Sequence, residues 1–177
     1  MNGKIAILAI FFSAVIMGGA VYYLQVYGYY RTVEPIPGAD VQMAMQDGTG
    51  PAPIAYGDFQ AIDADSSPIR YRACFTTPLT LEKLQQERVV APGMEPRNGP
   101  GWFDCFDAAA IGAELDAGTA VTFMGQKNVA YGVDRIVAIT QDGRGYVWHD
   151  LNDCGAKAYD GTVVGEECPP PPGSGGS

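Results

Sequence analysis

Positive charge is scarce in this chain. Against 20 Asp+Glu stand only 11 Lys+Arg, a formal net charge of -9 at pH 7. An acidic surface with no Lys/Arg cluster repels phosphate backbones, so no nucleic-acid partner is expected. Histidine occurs once, as His149. The four cysteines are widely spaced and no C-x-x-C is present, so neither a metal site nor a cofactor is expected. There is no G-x-x-x-x-G-K-[ST] and no kinase glycine loop, which argues against nucleotide phosphotransfer. A G-x-S-x-G nucleophile elbow is missing as well, as is any internal repeat. A chain of 177 residues is expected to hold one domain with accessories.

Charge of either sign is missing from Ile5 to Leu24, IAILAIFFSAVIMGGAVYYL. A hydrocarbon core of about 30 Å needs about 20 helical residues, so residues 5–27 read as a transmembrane anchor. A cleaved secretion signal is the rival reading, with Gly18-Gly19-Ala20 as its processing site. Apolar character continues past that site, however, and Tyr22, Tyr23, Tyr27, Tyr29 and Tyr30 follow. Rings with polar tips suit the headgroup zone, whereas a cleavage site needs none. Lys4 and the N-terminal amine favour a cytoplasmic N-terminus and a domain on the far side of an inner membrane, in the periplasm.

In such a compartment an even set of cysteines reads as two disulfides. Cys74, Cys105, Cys154 and Cys168 allow three pairings. Cys74–Cys105 and Cys154–Cys168 are the expected ones, the second closing a segment with little regular pattern.

Residues 28–57 are rich in Pro and Gly and read as a juxtamembrane linker. The domain is expected over 58–168, and PPPPGSGGS, 169–177, is expected to be disordered. Phe59–Asp63 and Ile69–Phe75 read as strands around a DADSSP turn. Thr77-Pro78 is a plausible start for a helix through LTLEKLQQERV. A second helix is expected from Phe106 to Ala117, capped by Asp104 or Asp107 and stopped by Gly118. AVTFMG reads as a strand. In RIVAITQDGRGYVWHD, Asp142-Gly143 signals a hairpin. A two-residue loop there would pair Ile139 with Tyr146 and Val137 with Trp148. The fold class expected is α+β: a mainly antiparallel sheet of about five strands with two helices on one face.

Four residues are weak candidates for chemistry. Asp63 and Asp65 after a strand have the spacing of a phosphotransfer pair, but are ordinary turn formers. Cys105 and His149 could serve as thiol and base, although an exported cysteine usually pairs. Trp102, Phe103 and Phe106 suit a partner patch or, more simply, a core. Arg70 and Arg72 could hold an anion or pair with Asp63, Asp65 or Glu82.

NGKIAILAI, YYLQVYGYY, IDADSSPIRYRACF and NGPGWFDCFDAAAIG together resemble a family of single-span envelope proteins from alphaproteobacteria, a domain of unknown function. The resemblance runs from residue 1 to about 168 and brings no catalytic residues with it. The expectation is a non-enzymatic binding or scaffold domain of the cell envelope, whose partners are the inner membrane and another envelope protein. A small hydrolase or thiol-dependent enzyme is the alternative.

Overall fold

The chain's first ordered element has nothing to pack against. Gly3–Tyr23 form helix α1, and none of its side chains is buried. Helix and following turn, Gly3–Gly28, are long and apolar enough to cross a membrane. The computed structural model describes residues 3–166 and 168; the tail expected to be disordered lies outside them. Over Leu24–Gly28 the helix widens to π geometry, closed by the Tyr29 amide donating to the Leu24 carbonyl at 3.0 Å. Strand β1, Tyr30–Thr32, follows with one residue between.

The chain continues as β2 (Gln42–Ala44), β3 (Pro51–Pro53), β4 (Gly57–Ala64), β5 (Arg72–Thr76), α2 (Leu81–Glu87), α3 (Ala108–Asp116), β6 (Ala120–Ala130), β7 (Val133–Thr140) and β8 (Arg144–Leu151). Six strands form one sheet in the order β1-β4-β5-β8-β7-β6, and β2 pairs with β3 separately. Every pairing is antiparallel. The α+β class is as expected, with six strands in the main sheet instead of five.

The helices do not share a face. Side chains alternate along a strand, so each strand feeds two cores. Ala73, Phe75, Val137, Ile139 and Val147 point to one face, where Leu81 and Leu84 of α2 cover them with Val41, Met43 and Ile54 of the β2–β3 ribbon. Cys74, Ile136, Ala138, Tyr146 and Trp148 point to the other, where Ile111 of α3 packs beside Phe103 and Phe106. A sheet apolar on both faces must be covered on both, which one layer of helices does not do.

Residues 28–57 are therefore not a linker throughout. Val41 and Met43 are fully buried. Arg88, itself buried, donates to the carbonyls of Met43 and Ala52 and holds both ribbon strands. Gly and Pro serve its turns here, with positive φ at Gly38, Gly48 and Gly50.

Both helices start later than expected. Thr80 caps α2, its hydroxyl accepting from the Lys83 amide, while the Thr77 hydroxyl donates to the Ala55 carbonyl. Asp107 caps α3 by accepting from the amides of Ala109 and Ala110. Ile69–Tyr71, expected in a strand, precede β5.

The hairpin is offset by one residue. Its loop holds three residues, Gln141-Asp142-Gly143. The Thr140 hydroxyl accepts from the Arg144 amide, and Gly143 takes φ +83°. This is the turn-plus-glycine-bulge alternative to a two-residue loop. Ala138 thus faces Tyr146 and Ile136 faces Trp148. The expected grouping of Val137 and Ile139 with Tyr146 and Trp148 is wrong: those pairs lie on opposite faces. A slip of one residue moves a strand's whole apolar set to the other side.

Gly145 is required by packing. It stands opposite Phe75, and a Cβ there would come within 2.1 Å of the Phe75 ring, which is itself buried. Gly145→Ala is expected to destabilise the domain by about 1–3 kcal/mol, the usual cost of overpacking. Gly101→Ala, whose Cβ meets nothing within 4 Å, should stay within about 0.5 kcal/mol. Denaturant unfolding of the two variants checks this; equal midpoints would show that Phe75 moves aside freely.

Candidate functional site

The two thiol-chemistry candidates lie on opposite sides of the sheet. Cys105 is bonded to Cys74, with Cα atoms 6.2 Å apart, on the face that carries Trp148. Cys154 is bonded to Cys168 with Cα atoms 5.1 Å apart, so no cysteine is free. Of the three possible pairings the expected one forms. His149 points to the other face, beside Tyr71.

His149 is buried, not at the sheet surface. Its ring stacks on Tyr71 at 4.8 Å between centroids. Nδ1 lies 2.7 Å from the Pro68 carbonyl and Nε2 accepts from Arg135 Nε at 3.1 Å. Those partners assign the proton to Nδ1, and they occupy both nitrogens. Burial pushes its pKa down to about 4, against the Pro68 carbonyl, with the Arg135 and Arg72 charges adding to the depression. The ring is neutral at pH 7 and has no lone pair free to take a substrate proton. Arg135 completes the cluster, its guanidinium 4.8 Å from the Tyr71 ring and bonded to the Asp40 carbonyl. Burial raises Tyr71 to about 12. The groups satisfy one another and read as a packed polar core.

Asp63 and Asp65 converge on a base, Arg31 of β1. The distances are 3.4 and 2.8 Å, at an exposed sheet edge. The shared guanidinium ties β1 to β4. Among the described residues no three His, Cys, Asp or Glu side chains gather as a metal site would need.

Where α1 ends, residues far apart in sequence meet. Trp102 donates its indole N–H to the Val26 carbonyl at 2.6 Å, and its ring stacks on Tyr27 and meets Tyr30 edge-on. Phe103 and Phe106 go into the core instead. Arg70 bonds the backbone carbonyl and side-chain oxygen of Gln25 and lies 5.5 Å from the Tyr30 ring centroid. The sequence pattern pointed to the five tyrosines but not to Trp102, which is 72 residues past Tyr30 and has no local signal linking it to them. Neither Arg70 nor Arg72 pairs with Asp63, Asp65 or Glu82.

The second feature is a groove of about 560 Å³ between α3 and the segment before it. Val90, Met94, Leu115 and Val121 supply apolar walls, and Glu95 and Asp116 stand among its lining residues.

Residues 41–169 match the model of a family of unknown function, DUF6446. The chain belongs to this family. The DUF6446 segment opens at Val41, the first fully buried residue after α1, and takes in the ribbon, five of the six main-sheet strands, both disulfides and the groove. Helix α1 and edge strand β1 precede it, so the match starts well after residue 1. No curated protein and no solved structure is significantly similar to the chain.

Proposed function

We propose that this DUF6446 protein is a single-span, inner-membrane-anchored periplasmic domain that binds or scaffolds another protein of the cell envelope. The observation that carries the reading is the groove beside α3, walled by apolar side chains with Glu95 and Asp116 among them. Each candidate for chemistry is meanwhile held by other contacts: Cys105 in a disulfide, His149 between Pro68 and Arg135, Asp63 and Asp65 on Arg31. Two disulfides fit an oxidising compartment. An apolar helix with no buried side chain fits a lipid environment. Because the turn that follows α1 is clasped by Arg70 and Trp102, the domain would ride directly on the bilayer and present the groove at a fixed height.

The test is site-specific photo-cross-linking in intact cells. A photoreactive residue at Met94 should give one discrete adduct, and Gly112→Phe, which fills the groove, should abolish it. The same probe at Asp47, on the exposed ribbon turn, should not capture that protein. Equal capture from both positions would defeat the groove as the binding site. Labelling of a single introduced surface cysteine by a membrane-impermeant reagent reads the orientation.

A further inference from the structure

We infer that the hollow between the end of α1 and the domain holds the phosphate of an anionic lipid headgroup, with Arg70 as its principal ligand. The inference rests on α1 spanning the membrane. The hollow measures about 710 Å³. One wall is the last helical stretch, Tyr22, Gln25 and Val26; the other carries Arg70, Arg72 and Arg97. Such clustering stands out in a chain with net charge -9.

Acid partners do not account for it. Arg97 pairs with Asp150. Among the described residues neither Arg70 nor Arg72 has a carboxylate within ion-pair distance. Three guanidinium groups against one carboxylate leave two positive charges without a counter-charge. Arg72 is 4% exposed and spends four donors on the carbonyls of Ile69, Tyr71, Arg97 and Asn98. It is a fixed charge behind the wall, and it holds the loop carrying Arg97. Arg70 is different. Two of its five donors go to Gln25, which is neutral, and three remain for a ligand. A guanidinium fork matches phosphate geometry, and a charged acceptor bonds it more strongly than an amide oxygen does.

Position selects the source of the phosphate. Tyr22 and Val26 line the hollow, and Trp102 with Tyr27 stands beside it. Tyr and Trp collect where headgroups lie, so the hollow opens at headgroup depth. There a phosphate arrives on a lipid, at high local concentration, with its acyl chains free to run along the exposed helix.

The test uses the full chain in nonionic detergent micelles and native mass spectrometry. It is titrated with phosphatidylglycerol, phosphatidylcholine or inorganic phosphate. One phosphatidylglycerol should be retained in preference to phosphatidylcholine. Arg70→Gln should weaken retention about tenfold, the size of one charge-assisted bond. Ser67→Asp, which puts a negative charge on the hollow's lining while keeping Arg70, should weaken it too. Arg31→Gln, another base near the interface but not in the hollow, should leave it within about twofold. Equal retention of both lipids, insensitivity to Arg70→Gln and Ser67→Asp, or displacement of the lipid by equimolar inorganic phosphate would overturn the inference. Alkaline extraction of the chain from vesicles is read in parallel. A chain that stays inserted but does not select fails the headgroup site alone; a chain that is released fails the membrane reading as well.

Discussion

Replacing Cys74 and Cys105 by alanine is expected to lower the unfolding free energy by about 4 kcal/mol. The bridge spans 31 residues, and the entropy it removes from the unfolded chain grows with the logarithm of that span. Its position adds to the effect. Cys74 is in β5, in the middle of the sheet, and Cys105 is in the layer that lays Phe103, Phe106 and α3 over Trp148. Without the bridge that layer is left with apolar contact, the Arg72 hydrogen bonds to the Arg97 and Asn98 carbonyls, and the Arg97–Asp150 and Arg144–Glu114 pairs. Cys154→Ala with Cys168→Ala is expected to act differently. Its loop spans 14 residues in a mostly exposed region held by a Lys157–Val163 bridge. Loss should appear as faster hydrogen exchange from 153 to 166, with a smaller shift of the main transition. Urea unfolding with exchange mass spectrometry separates the two; equal losses of global stability would mean that the C-terminal loop is part of the cooperative unit.

Acidification from pH 6.5 to 4 is expected to cost on the order of 3 kcal/mol through His149 alone. The sign follows from burial. The folded pKa is down near 4 against an ordinary 6.5. Above 6.5 both states are neutral and the contribution is whole. Between 6.5 and 4 the unfolded chain takes up a proton that the folded one refuses, so stability falls as pH falls, until the folded ring is protonated too. The Pro68 carbonyl favours the charged ring, but burial outweighs it, Arg135 and Arg72 repel the proton, and Tyr71 is neutral. Asp142, held down to about 2 by Arg144 and Thr140, contributes only at lower pH. His149→Gln should start from a lower plateau and show a flatter profile from 6.5 to 4. An unchanged slope in that variant would remove His149 as the cause.

Much of the fold was legible because local chemistry announces it. Twenty uncharged residues imply a long apolar helix whatever follows. Asp107 and Gly118 bracket α3 with a side-chain acceptor and a left-handed stop, as their residue types require. The hairpin was visible in Asp142-Gly143, but its register was not. Both flanking strands are apolar on both faces, so alternation could not tell one offset from the next, and the Thr140 hydroxyl decided it. The ribbon was hidden for the opposite reason. Its Pro and Gly look like linker, and only two short apolar stretches, around Val41–Met43 and at Ile54, reach the core.

Of the candidate site residues, the cysteines were legible as a set, since an even number of widely spaced cysteines after an apolar span reads as pairs. His149 was not, because a lone histidine in a strand carries no mark of which way it faces. By itself the amino-acid order determined the apolar span, the acidic character, the cysteine stapling and the α+β composition, all properties of residue type and local pattern. Tertiary structure alone decided that two layers cover the sheet, that Cys105 and His149 are separated by it, and that Arg70 and Trp102 meet the turn at the end of α1. Those outcomes depend on sheet order and on a one-residue register, which are settled by which apolar faces can be buried together and not by any local preference.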